Sequence, residues 1–157
     1  MKNAFKLCLP VIIALTIISC SKSNDNSKPP GATASILAKW KMSVDSIVVY
    51  DNGKEVQKEE NEYAANGFDF LNIQFNADGT GMQTMFNGSM TDTPIKYTLS
   101  GNSITINFAE SDLGDPAYSM SGTVQTLTVN KLVLDLQQTT VKGSVTEKTT
   151  HDINYSK

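Results

Sequence analysis

Arginine is absent from this 157-residue chain, histidine and tryptophan occur once each, and both cysteines lie within the first twenty residues. Without arginine there is no planar fork to grip phosphate or carboxylate, and the 13 lysines are outnumbered by 16 acids. Nucleic acids and other polyanions are therefore excluded as expected partners. A single histidine cannot build a multi-histidine metal site, and with only Cys8 and Cys20 the body of the chain has no thiol for a disulfide, a thiolate metal site or a cysteine nucleophile. No Gly-x-Ser-x-Gly elbow occurs either. The expectation is a chain with no catalytic residue, no bound metal and no cofactor, held together by packing alone.

Long apolar runs are also missing, with one short exception. Lys2 and Lys6 precede Leu7–Ile18, twelve residues that would cover about 18 Å as a helix, against roughly 30 Å of bilayer hydrocarbon. A basic start, a short apolar stretch and then small residues form the secretory pattern. Ile17-Ile18-Ser19-Cys20 resembles the lipobox of bacterial lipoproteins, in which the cysteine receives a diacylglycerol thioether and becomes the first mature residue. The resemblance implies a signal peptide over 1–19, lipidation at Cys20, a membrane partner through that anchor and a bacterial envelope address. Ser21, in place of aspartate, directs the expectation to the outer membrane. Loss of Lys2 and Lys6 with the leader carries the formal charge of −3 two units further negative.

Residues 20–34 hold Ser21-Lys22-Ser23-Asn24-Asp25-Asn26-Ser27-Lys28-Pro29-Pro30-Gly31, a polar stretch read as a flexible tether ending in a stiffer Pro-Pro step. Residues 35–157 are long enough for one domain with one core. Here the apolar period is two: Leu71, Ile73 and Phe75; Ile95, Tyr97 and Leu99; Ile104, Ile106 and Phe108; Leu132, Leu134 and Leu136. Asn52-Gly53, Asp78-Gly79, Asn87-Gly88 and Gly101-Asn102 predict hairpin turns between these runs, and Val129-Asn130-Lys131-Leu132 predicts a further one. Lys54–Ala65 is charged with Val56 nearly alone as an apolar residue, so it is expected as a solvated strand extension or loop. Eight or nine strands with short turns fit an all-β, antiparallel up-and-down meander that closes on itself and so removes its exposed edges.

Three stretches together resemble the lipocalin-like lipoproteins of Bacteroidota: Ile36-Leu37-Ala38-Lys39-Trp40, Phe75-Asn76-Ala77-Asp78-Gly79-Thr80-Gly81, and Tyr97–Ile106. The resemblance implies a lipocalin-like barrel of about eight strands with the tryptophan capping one end. Ala38 stands where that family usually has glycine, and no arginine is present to pack over Trp40 as in the better-known lipocalins.

An eight-stranded barrel is filled by its own side chains or holds one small ligand, and composition leaves both open. If a cavity exists, Trp40 at the base with Met82, Met85 and Phe86 on the strand after the Asp-Gly turn are the expected ligand-binding residues. The expected function is a non-catalytic binding module for a small apolar ligand. The alternative is a filled barrel docking on another envelope protein. Glu110, Asp112 and Asp115 share a loop but match no calcium-loop spacing, and Glu59, Glu60 and Glu62 read as a hydrated run. His151 falls on the face of Ile153 and Tyr155, where replacement by Gln is expected to affect packing at most.

Overall fold

The computed structural model describes residues 34–157, apart from 69, 87, 112 and 113. The signal peptide, Cys20 and the tether lie outside the described residues. Nine strands follow in order: β1 (Lys39–Asp51), β2 (Lys54–Glu62), β3 (Asn72–Phe75), β4 (Thr80–Phe86), β5 (Met90–Ser100), β6 (Ser103–Phe108), β7 (Tyr118–Leu127), β8 (Lys131–Lys142) and β9 (Val145–Ser156). Every pairing is antiparallel, and β1 pairs with both β3 and β9, so β1 and β3 to β9 close into an eight-stranded barrel with β2 as an extra strand.

The predicted alternation builds the core. Leu71, Ile73, Phe75, Ile104, Ile106, Phe108, Leu132, Leu134 and Leu136 are all buried together with Trp40, Met42 and Tyr155. Leu99 is a correction: it is 40% exposed. Strand β4 begins at Thr80, opposite Lys96, so β5 residues beyond that point have lost the neighbour that would cover them. Gly122 marks a close approach within the wall, since a β-carbon there would collide with the carbonyl oxygen of Asp135; a strand glycine of this kind is where two backbones need the room.

Turn chemistry carries most of the connections. Asn52 and Gly53 both adopt positive φ, 47° and 82°, the pair that a type I′ hairpin demands. The Asp78 carboxylate accepts from the Thr80 amide at 3.0 Å and holds the β3–β4 turn. Two turns differ from expectation. The β7–β8 reversal lies one residue earlier than predicted, around Val129-Asn130. The Thr128 hydroxyl accepts from the Lys131 amide at 2.9 Å and fixes it there, leaving Lys131 as the first residue of β8. A further two-residue turn, Gly143-Ser144, joins β8 to β9, where Lys142 pairs with Val145.

The charged segment forms β2, exposed along nearly its whole length. It pairs with Val44–Asp51 of β1, whereas β3 reaches only Lys39–Lys41 and β7 reaches β8 only as far as Gln137. The far halves of β1, β8 and β9, with β2, thus run beyond the closed ring as a four-stranded flap. Ile47, Val48, Val49 and Tyr50 there are only half-buried.

Candidate functional site

The barrel interior retains a partly enclosed cavity of about 110 Å³. Its apolar wall is Met42, Ile73, Met85, Ile106, Phe108, Met120, Leu136 and Ile153; its polar groups come from Asp45, Gln83, Tyr118, His151 and Tyr155. Asp45 reaches the interior through an irregularity. Met42 pairs with Tyr155 and Val44 with Asn154, a one-residue bulge at Ser43. Strict alternation from the inward Met42 would point Val44 and Ser46 into the barrel; the extra residue aims Asp45 there instead, as bulges characteristically do.

Two residues along the ladder, on β9, stands His151. The Asp45 carboxylate accepts from its Nδ1 with both oxygens, at 3.0 and 3.2 Å. The Asp45 side chain is 7% exposed and that of His151 16%, so the carboxylate is buried and the pair as a whole is largely withdrawn from the surface. His151 thus does more than pack: it partners a carboxylate inside the barrel, which a replacement without an N–H donor would leave alone. The same charge bears on the nearby phenols. Burial raises the Tyr155 hydroxyl far above the ordinary tyrosine range, with the Asp45 charge next in effect. Tyr63, half-buried, is raised by burial, then by Asp45, then by Glu59. Burial, followed by Asp115, does the same to Tyr118.

A phenol whose folded pKa exceeds its unfolded value contributes stability that is complete below the unfolded value, near 10, and is lost as pH rises above it. Urea denaturation between pH 9 and 11 should therefore show stability falling once pH passes about 10. Tyr155→Phe should flatten that fall by about 1.4 kcal/mol per pH unit, the contribution of one such group. An unchanged slope in the variant would assign the alkaline loss to other groups.

The sequence-predicted residues separate. Met85 lines the cavity. Met82 and Phe86 do not: they are 37% and 45% exposed, on the outer face of β4. Gly81, Gln83 and Met85 take the inner face, and the period of two forbids Met82 and Met85 from sharing a wall. Phe86 instead packs outside against Phe68 and Phe70, at centroid distances of 5.8 and 6.2 Å. Trp40 is fully buried and donates from Nε1 to the Ile36 carbonyl at 2.8 Å, yet it lies outside the cavity wall, its β3 partner Ile73 standing there instead. Lys157 Nζ lies 4.5 Å from the Trp40 ring centroid, supplying the cation that the missing arginine cannot. Among the loop carboxylates, Asp115 accepts from the Ser111 hydroxyl at 2.9 Å, while Asp112 lies outside the described residues.

The polar lining residues that sequence reading missed are Asp45, Gln83 and Tyr118. Gln83 had a usable signal, alternation from Met85 on the same strand. Asp45 had none, since the bulge at Ser43 reverses the parity.

A closed eight-stranded antiparallel barrel is either filled by its own side chains or holds one small ligand, and this one keeps a partly polar space inside its wall. A lipocalin-like domain model matches residues 36–134, more than half of the chain, and the chain belongs to that family. Its proteins typically bind rather than catalyse. No curated protein and no solved structure matches the chain.

Proposed function

We propose that this protein is a lipid-anchored component of a bacterial envelope, fixed at Cys20 to the outer membrane, that binds a small molecule in its barrel without transforming it. The observation that carries the binding reading is the partly enclosed interior cavity with three methionines, Met42, Met85 and Met120, in its wall. Methionine is adaptable, so the wall can re-form around an occupant. Size sets the class of ligand. At about 110 Å³ the cavity is well below the roughly 300–1,000 Å³ of drug-sized pockets and near the roughly 150 Å³ that takes a benzene ring. A ring-sized occupant fits; an extended acyl chain does not. Toluene titrated into the intact chain carrying ¹³C-methyl methionine should give saturable shifts at Met42, Met85 and Met120 and none at the exposed Met82 and Met90. Shifts confined to the exposed pair would sink the reading.

Anchoring is supported by the apolar leader and the Ser19-Cys20 junction. Several acyl chains on one residue hold a protein to its membrane, where one alone is marginal. Growth with a labelled fatty acid should mark the wild type and leave Cys20→Ala unmarked; equal labelling of the two would dismiss the anchor. A second reading, docking on another envelope protein, is favoured by the exposed Phe70, Phe86 and Met90 around the Phe68–Phe70–Phe86 aromatic cluster.

A further inference from the structure

Gln83 is only 8% exposed, and it sits inside the wall with Ile73 and Thr93 as its backbone neighbours. Its carboxamide offers two donors and an acceptor, yet among the described residues it makes no side-chain hydrogen bond, and it faces the cavity. Its amide atoms are not sealed off from solvent, so this edge is free to meet a ligand or water entering the cavity. Elsewhere in the same wall the Asp45 carboxylate accepts from a single nitrogen, His151 Nδ1, and an ionised carboxylate has capacity for more donors. The cavity is therefore not a dry hydrocarbon pocket. It holds one vacant donor–acceptor edge and one acceptor with lone pairs to spare.

Charge narrows the class further. No lysine lines the cavity, and the one imidazole there, His151, is already engaged by Asp45, so an anionic headgroup would enter beside the Asp45 carboxylate with no free cation in the wall, and like charges in a low-dielectric interior repel strongly.

We propose that the barrel selects a compact, uncharged ring bearing a carboxamide or lactam edge, whose C=O and N–H pair with the Gln83 side chain and whose remaining donor reaches Asp45. This rests on the cavity being the binding site, and it adds what that site prefers. Plain hydrocarbons of the same size bind more weakly, and carboxylates are rejected.

Three ring-sized probes test it on the intact chain through the buried methionine methyl resonances: benzamide, toluene and benzoate. Benzamide should bind about tenfold or more tightly than toluene, since hydrogen-bonding sites discriminate against analogues that leave their polar groups unpaired, and benzoate should bind weakest. In Gln83→Leu, where removal of an unpaired amide leaves the fold intact, the benzamide advantage should shrink to within about twofold while toluene still binds. Equal wild-type affinities for benzamide and toluene, or an advantage that survives Gln83→Leu, would overturn the proposed preference and leave the cavity as a binding site. If none of the probes moves Met42, Met85 or Met120, the cavity reading falls and this proposal with it. The wild-type comparison needs no variant, so it decides even if Gln83→Leu folds poorly.

Discussion

Trp40→Ala should lose about 3–5 kcal/mol of folding stability, the range for truncating a fully buried tryptophan. For a domain of this size that corresponds to roughly 4 °C of Tm per kcal/mol, a fall on the order of 12–20 °C by calorimetry. Three features of its position put it at the high end. The ring has no solvent exposure, so its whole area is returned to water or left as a void. Its Nε1 satisfies the Ile36 carbonyl at 2.8 Å, which becomes an unpaired acceptor. It also stands opposite Ile73 in the three-residue ladder joining β1 to β3, the shortest junction in the ring. Trp40→Phe should recover most of the packing and forfeit only the hydrogen bond, about 1 kcal/mol. A loss under about 1 kcal/mol for Trp40→Ala would show that β1 and β3 are held by other contacts.

The second large effect is expected at the interior pair. His151→Leu keeps much of the volume but removes the partner of a carboxylate that is 7% exposed, and a buried charge stripped of its partner costs about 3 kcal/mol or more. Removing both groups is a different matter, because replacing a buried pair by apolar residues of similar size is often neutral. The Asp45→Leu/His151→Leu double variant should thus be more stable than His151→Leu alone, a sign reversal that only coupling produces. Chemical denaturation of the four proteins in this cycle checks it. If the double variant is as unstable as the sum of the two single losses, the 3.0 Å contact contributes nothing specific.

How much of this was legible in the sequence follows from where each residue's environment is decided. Ile104–Phe108 was readable because its alternation is unbroken and both neighbours run alongside it in full register; Leu132, Leu134 and Leu136 were readable because the irregularity beside them lies in β7, between Val124 and Thr126, and leaves the parity of β8 itself intact. The Asn52-Gly53 turn was readable because its backbone requirement is local. Leu99 was misread because its burial depends on how far β4 extends, which nothing near Leu99 encodes. The expected lining failed at Met82 and Phe86 because residue type was allowed to outweigh parity. Alternation alone divides Met82 and Phe86 from Met85. Asp45 and His151 lie 106 positions apart and meet only because β1 closes on β9 and a bulge reverses the parity of one strand. No composition, motif or period near either residue carries that information.

The outer edge of β2 has a consequence for how copies of this domain coexist at high density. Beyond Gln137 the far half of β8 has lost β7 as a neighbour; on β2, which pairs only with β1, the unpaired edge runs the whole strand, and such an edge is ordinarily a template on which a neighbouring molecule can continue the sheet. Here that edge reads Lys54, Glu55, Lys58, Glu59, Glu60 and Glu62, four acids against two bases. A second β2 laid alongside would set a net negative strand against its own likeness, and side-by-side like charges destabilise pairing. Growth of the sheet from the β2 edge is thus opposed by repulsion.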